Sequence, residues 1–311
     1  MKAIVYDKSI PGRLELREAE KPAPGKGEVL VRVRAVSVNA ADYRSMKLGI
    51  VPKRLIYGAD NAGTVVETGE GASRLAVGDA VLGDNALYGF GGFAEYTTAP
   101  EALLAKKPEN VSFEAAATVS LAGVTALQGL RLYGKDLTAK RVLVLGAGGG
   151  VGTYAVQLAK YFGANVTAVC GPRNVGQTRS LGADRVIDYS KEDCLAARDA
   201  YDLILAVNGG RKLAQYRRAL AAGGTAVIVG GALKQVFGAM AFGFLHAVGG
   251  RKICTLSAKA NAVDSAYLVG LLADGKITPV IEKVVPLEDG ADAIHYVARG
   301  HAQGKVVIRI D

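Results

Sequence analysis

Neither cysteine nor histidine occurs anywhere in Met1–Val169. Zinc is held by thiolate and imidazole, so no such site can be assembled in the first half of the chain. The three cysteines, Cys170, Cys194 and Cys254, form no C-x-x-C pair and leave an odd count. That argues against a disulfide framework and points to reduced thiols and a cytoplasmic location. Consistent with this, Met1 leads straight into the strand-like Lys2–Tyr6 with no secretory-signal layout. Tryptophan is absent and aromatics make up 6% of the chain, which leaves little stacking surface for single-stranded nucleic acid. Acidic residues are missing from the whole stretch Leu203–Val263, which holds eight of the basic ones: +8 there against +9 for the entire chain. Inside it, the apolar run Val236–Val248 is too short to span a bilayer, which needs about 20 residues. It reads first as a cleft-lining or dimer-burying helix and second as a peripheral contact with an anionic membrane surface.

What is present is glycine, 40 residues of it in 311, and its densest use organises the chain. Lys140–Leu145 is an apolar run that breaks into Gly146-Ala-Gly-Gly-Gly-Val-Gly152 and continues as the helical pattern Thr153–Phe162. Aligned on Gly149 and Gly152, this is the dinucleotide fingerprint G-x-G-x-x-G with Ala147 in place of the first glycine. Ala147, Gly148, Gly149, Gly150, Val151 and Gly152 are therefore candidate pyrophosphate contacts at a helix N-terminus. Strand patterns alternating with helical ones run on through Asp184–Asp188, Tyr201–Val207, Thr225–Gly230 and Lys252–Ser257, which predicts a doubly wound parallel sheet. Before Asn110 the text is all β, in short strands separated by proline and glycine turns, the signature of a small barrel. The fold class expected is α/β, a barrel-like domain over residues 1–112 plus a dinucleotide-binding domain over 113–284. The last strand, Lys305–Ile310, is not assignable to either sheet from its periodicity.

In dinucleotide folds specific for NAD, an acid at the end of the second strand accepts from the ribose 2′-hydroxyl. Here that position is Cys170 or Gly171, followed by Pro172, Arg173 and Asn174. An arginine there suits a 2′-phosphate, so NADPH is the expected cofactor, with an ordinary solvated loop arginine as the alternative.

Val38-Asn-Ala-Ala-Asp42, Tyr57-Gly-Ala-Asp-Asn-Ala-Gly-Thr-Val65, Val77-Gly-Asp-Ala-Val81, Gly92-Phe-Ala-Glu-Tyr96, Leu121–Gln128, Gly148–Gly152, Leu181–Tyr189 and Gly304–Ile308 together resemble the medium-chain dehydrogenase/reductase superfamily, in its zinc-free quinone oxidoreductase and enone reductase branch. The resemblance implies a GroES-like catalytic domain completed by residues from about 285 to 311, and NADPH in a cleft between the domains. It also implies a homodimer. It adds Tyr189 near the 2′-phosphate and adenine, Thr125, Asn208, Gly230 and Gly231 near the nicotinamide, and Lys305 at a phosphate. Aligned on Asp42, the family's first zinc-ligand position is Asn39; aligned on Gly58, its histidine position is Ala59. The implied chemistry is hydride transfer to a quinone or to an enone or alkenal. Asn39 and Tyr43 are the nearest candidate donors to the substrate oxygen, and Asp42 is read as ordering its loop. The alternative is an NADPH-binding sensor or membrane-associated protein without significant turnover.

Overall fold

The computed structural model describes residues 1–207, 210–230, 238, 248–300 and 302–311. It divides into two compact units, Met1–Val124 with Ala260–Asp311, and Thr125–Lys259.

The first unit opens with a hairpin, β1 (Lys2–Tyr6) and β2 (Leu14–Glu18). Its main sheet is built on β3 (Glu28–Ser37), whose buried positions alternate poorly because both faces are covered. Along one edge β3 pairs with β4 (Asp60–Thr68). Beyond β4 lie β5 (Ala80–Asp84) and the two-residue β7 (Ala105–Lys106). Along its other edge β3 is shared: Glu28–Arg32 pairs with β6 (Tyr96–Pro100) and Ala35–Ser37 with the last strand of the chain. Between β3 and β4 a helix, Ala40–Lys47, carries the polar loop residues into place.

The second unit is a wholly parallel six-stranded sheet. Its strands are β8 (Arg141–Leu145), β9 (Asn165–Cys170), β10 (Arg185–Asp188), β11 (Tyr201–Ala206), β12 (Leu220–Ile228) and β13 (Lys252–Thr255), in the spatial order β10-β9-β8-β11-β12-β13. Numbered from its own first strand that order is 3-2-1-4-5-6, the doubly wound arrangement whose ligand crevice opens where the direction of winding reverses. Here the reversal falls between β8 and β11. Near-continuous apolar runs such as Val142–Leu145 and Leu203–Ala206 are fully buried, as a sheet covered on both faces demands.

The chain then returns to the first unit. β14 (Ile281–Pro286) and β15 (Lys305–Arg309) are parallel neighbours, and β15 joins the barrel sheet antiparallel to β3. This places the final strand, whose periodicity fits either sheet. Other expectations shift. The expected domain borders at 112/113 and 284/285 move to 124/125 and 259/260, because the helix Ala262–Ala273, which the sequence reading missed, packs within the first unit. β14 begins only at Ile281, after Pro279, which has no donor for a ladder. Of the apolar run Val236–Val248, residues 236–237 and 239–247 and the side chain of Val248 lie outside the described residues.

Ile4, Tyr57, Phe93, Val306 and Ile308 share one core of the first unit and are almost wholly buried. Truncation of Ile308 to alanine removes buried methyls from the strand that closes this sheet and is expected to cost about 2–5 kcal/mol. Urea unfolding followed by far-ultraviolet circular dichroism measures it; a loss below about 1 kcal/mol would contradict the central place given to this strand.

A dinucleotide cradle and a buried polar cluster

In the second unit, β8 ends at Leu145 and the chain turns at Gly146, whose φ of 79° lies in the left-handed region that favours glycine. The strained step is thus one residue earlier than the fingerprint alignment suggests. Ala147 is tolerated because it does not carry that conformation; it is fully buried, and its N–H, like that of Gly146, donates to the Val169 carbonyl. Gly149 caps the helix Gly150–Tyr161 in an extended conformation, so the first amides of this helix have no carbonyl within it and face outward as an anion site. Two glycines here are sterically obligatory. A Cβ on Gly152 would fall on the Gly146 carbonyl oxygen, and one on Gly148 would collide with the side-chain amide of Asn174. Asn174 leans on the loop while its Oδ1 is buried with no hydrogen-bond partner among the described residues. Open amides at the start of the helix, kept clear by glycine and flanked by the unpaired amide oxygen of Asn174, fit a dinucleotide.

The second strand, β9, ends on buried Cys170, so no carboxylate occupies the ribose position. Asp188, beside Cys170 in register, is engaged locally: its Oδ1 accepts from the Ser190 N–H and hydroxyl, which hold its carboxyl below the usual range. Arg173 lies exposed in the turn Pro172–Asn174, and the Tyr189 ring, also exposed, approaches Gly171 closely enough that its hydroxyl would sit 3.0 Å from a Cβ there. The β9 and β10 ends therefore gather Arg173, Asn174 and Tyr189 at one rim. Thr125 is buried in the helix Val124–Arg131, and Gly230 follows β12 with a φ of 71°. Asn208 and Gly231 lie outside the described residues.

In the first unit the candidate polar residues converge, with partners the sequence reading did not single out. Asp60, at the start of β4, accepts from the Ser37 hydroxyl at 2.9 Å, from Asn39 Nδ2 at 3.0 Å and, through its other oxygen, from the Leu121 N–H at 2.7 Å. Leu121 presents that N–H from a single π-turn, Val119–Gly123. Lys305 Nζ stands 3.7 Å from Asp60, donates to the Val38 carbonyl at 3.3 Å and donates closely to Asn39 Oδ1. Asp42 accepts from the N–H groups of Asn39, Gly58 and Ala59 at 2.7, 3.1 and 3.0 Å. Asp84, opposite Asp60 in register, accepts from Ala86 N–H.

This geometry corrects two expectations. Asn39 is 5% exposed and its amide is spent inside the cluster, nitrogen on Ser37 and Asp60 and oxygen on Lys305, so it has no donor left for a substrate. Lys305 is 3% exposed, because its strand lies inside the barrel sheet with the side chain pointing inward, and its ammonium is held at Asn39 and Asp60 away from any phosphate. Asp42 fits the loop-ordering role expected of it. Tyr43 is half-buried against the core, with Lys47 and Arg44 over its ring; its hydroxyl makes no hydrogen bond among the described residues. Asp60 was missed because its partners come from segments far apart in sequence, and Asp84 because only strand pairing sets it opposite Asp60.

A family model described as an alcohol dehydrogenase GroES-like domain matches residues 25–109, and one described as a zinc-binding dehydrogenase matches residues 181–308. The chain is 34% identical over 318 residues to a chloroplast envelope quinone oxidoreductase homolog of Arabidopsis thaliana, covering 95% of this chain and 93% of that one. It is 34% identical over 326 residues to an NADPH-dependent alkenal/one oxidoreductase of the same plant, covering 99% and 79%. Among solved structures, the quinone oxidoreductase from Coxiella burnetii superposes with a TM-score of 0.90 at 28% identity, covering 100% of this chain and 99% of that one. With a doubly wound nucleotide sheet and a GroES-like barrel in one chain, the fold is that of a nicotinamide-dependent oxidoreductase. The chain belongs to the medium-chain dehydrogenase/reductase superfamily, on the side of its quinone oxidoreductases and enone reductases.

The cluster makes stability depend on pH. Burial pushes both the Asp42 and the Asp84 carboxyls up from 3.8 to about 7, with the neighbouring carboxylates adding to the shift, and burial likewise raises Asp60 and lowers Lys305. Between the free and folded values the folded chain holds more protons than the unfolded one, so this contribution is complete below the free value and is lost as pH rises through about 7. Above about pH 5.5 ordinary carboxyls are ionised in both states and drop out of the balance. The urea midpoint is expected to fall between about pH 5.5 and pH 8, and less steeply in Asp84→Asn, whose amide oxygen can still accept from Ala86. A midpoint that is flat or rises over that interval contradicts the argument.

Proposed function

We propose that this protein transfers a hydride from NADPH to a quinone or to the β-carbon of an α,β-unsaturated carbonyl, in the cytoplasm, as a homodimer and without a metal. The observation that carries the cofactor part is the rim at β9 and β10: a second strand ending on Cys170 without a carboxylate, with Arg173 and Tyr189 exposed beside it. The names of the relatives support the substrate class. When bound, the reduced nicotinamide supplies the hydride; the chain supplies binding, orientation and stabilisation of charge. Amides at the start of Gly150–Tyr161 receive the pyrophosphate, and Arg173 offers a planar fork to the 2′-phosphate. As negative charge develops on the substrate oxygen, a donor is required. With Asn39 spent, the Tyr43 hydroxyl is the donor this reading retains.

The absence of a metal from the proposal rests on donor chemistry. The family's first ligand position is Asn39, which bonds an ammonium, and the histidine position is Ala59. Lys305 Nζ places a positive charge among the very oxygens a cation would need. Among the described residues no group of three His, Cys, Asp or Glu side chains is arranged to hold a metal ion.

Three measurements test this reading. In Arg173→Ala the KM for NADPH is expected to rise about 10- to 150-fold with that for NADH nearly unmoved, the equivalent of one charge-assisted bond of about 1.5–3 kcal/mol; equal effects on both cofactors, or a wild type that prefers NADH, would refute the phosphate role. Tyr43→Phe is expected to lower kcat about 10- to 100-fold, the lower range for loss of an oxyanion donor, and an unchanged kcat removes Tyr43 from the chemistry. NADPH oxidation assayed against quinones, enones and alkenals should persist after chelator treatment in protein that elemental analysis finds free of zinc. Tight NADPH binding with no turnover on any acceptor would favour a sensor instead.

A further inference from the structure

On the second unit, Arg198, Arg217, Arg218 and Arg251 surround a cavity of about 280 Å³ together with Asp199 and Ala214. Arg198 and Asp199 end the loop before β11, Arg217 and Arg218 lie in the last turn of the helix Leu213–Ala219 before β12, and Arg251 immediately precedes β13. Because the strands are parallel, all of these sit at the amino edge of the sheet, opposite the carboxyl edge that carries the glycine loop.

Four guanidiniums face one carboxylate, and that carboxylate is already taken. Arg251 pairs with Asp199 and also donates through Nε to the Leu220 carbonyl at 2.9 Å. Arg218 is fixed by donating to the Leu195 carbonyl at 2.7 Å. The side chains of Arg198 and Arg217 make no hydrogen bond or ion pair among the described residues. Attraction to the helix C-terminus explains Arg217 and Arg218, but not the convergence of Arg198 and Arg251 from two separate loops. Arg251 is delivered by two successive left-handed glycines, Gly249 and Gly250, with φ of 75° and 73°; a Cβ on Gly249 would lie 2.8 Å from an Arg251 Nη. Like charges gathered in a concavity repel one another and raise the local concentration of anions. Two forks held in place and two left open are preorganised for oxygens in a phosphoryl arrangement. The volume is close to the low end of small-ligand pockets, about 300 Å³, and the lining is a bowl, not a stripe.

We propose that this arginine cavity binds a small phosphorylated anion carrying two phosphoryl groups, at a site separate from the dinucleotide cradle. Calorimetric titration with inorganic pyrophosphate, at low salt and with saturating NADPH, provides the test. Wild type is expected to bind it, and the double variant Arg198→Ser, Arg217→Ser, which removes the two unpartnered arginines, to bind it at least about 10-fold more weakly while its melting temperature and NADPH turnover stay unchanged. No binding by wild type at millimolar pyrophosphate, or equal binding by the variant, overturns the proposal. So does binding to phosphatidylserine vesicles or duplex DNA without binding to pyrophosphate. Dependence on Arg198 and Arg217 is read independently of the cofactor assignment, since a chain that failed to use NADPH would still show or lack it.

Discussion

The first unit depends on a buried ammonium. Lys305 is enclosed by Asn39, the Val38 carbonyl and Asp60, and Asp60 in turn gathers Ser37, Asn39 and the Leu121 amide. A buried charge is tolerated only when paired and hydrogen-bonded, so these partners are required together, and they come from five stretches: β3, the loop after it, β4, the π-turn and the final strand. Removing Asp60 or Lys305 would leave the other charge buried without its opposite. The return of the chain to its first sheet is therefore as much electrostatic as it is a matter of strand pairing.

The same cluster bears on chemistry. The side-chain oxygen of Asn39 serves a lysine. A fixed ammonium balances the buried carboxylates as a cation would, yet it has no vacant coordination position with which to polarise a carbonyl. In the function proposed above the acceptor is already electrophilic, so hydride delivery and a single donor suffice. The polar cluster then acts as scaffold, with Asp42 tying the helix Ala40–Lys47 to the backbone at Gly58 and Ala59.

Much of the second unit was legible because its signals are local. The glycine loop, the helix behind it and the apolar strand runs are contiguous, and their spacing dictates strand, turn and helix. Even there the structure moved a detail: the left-handed residue is Gly146, which explains why Ala147 is admissible. The arginine cavity was visible only as a charge excess in Leu203–Val263, since nothing in a linear count says that Arg198 and Arg251 meet. Asn174 was named from its nearness to Arg173; its contact with Gly148 and its orphaned oxygen are tertiary facts.

By itself the sequence determined the class of fold, the dinucleotide loop, the missing acid after the second strand and the lack of thiolate or imidazole ligands before Cys170, all properties of composition or of neighbours along the chain. Only the tertiary structure decided where β15 pairs, that Asn39 and Lys305 serve each other, and that Asp60 and Asp84 are buried beside them. The reason is physical: strand periodicity specifies which face is apolar but not which sheet accepts it, and whether a polar side chain meets substrate or is consumed internally depends on partners hundreds of residues away, as Lys305 and Asn39 are from one another.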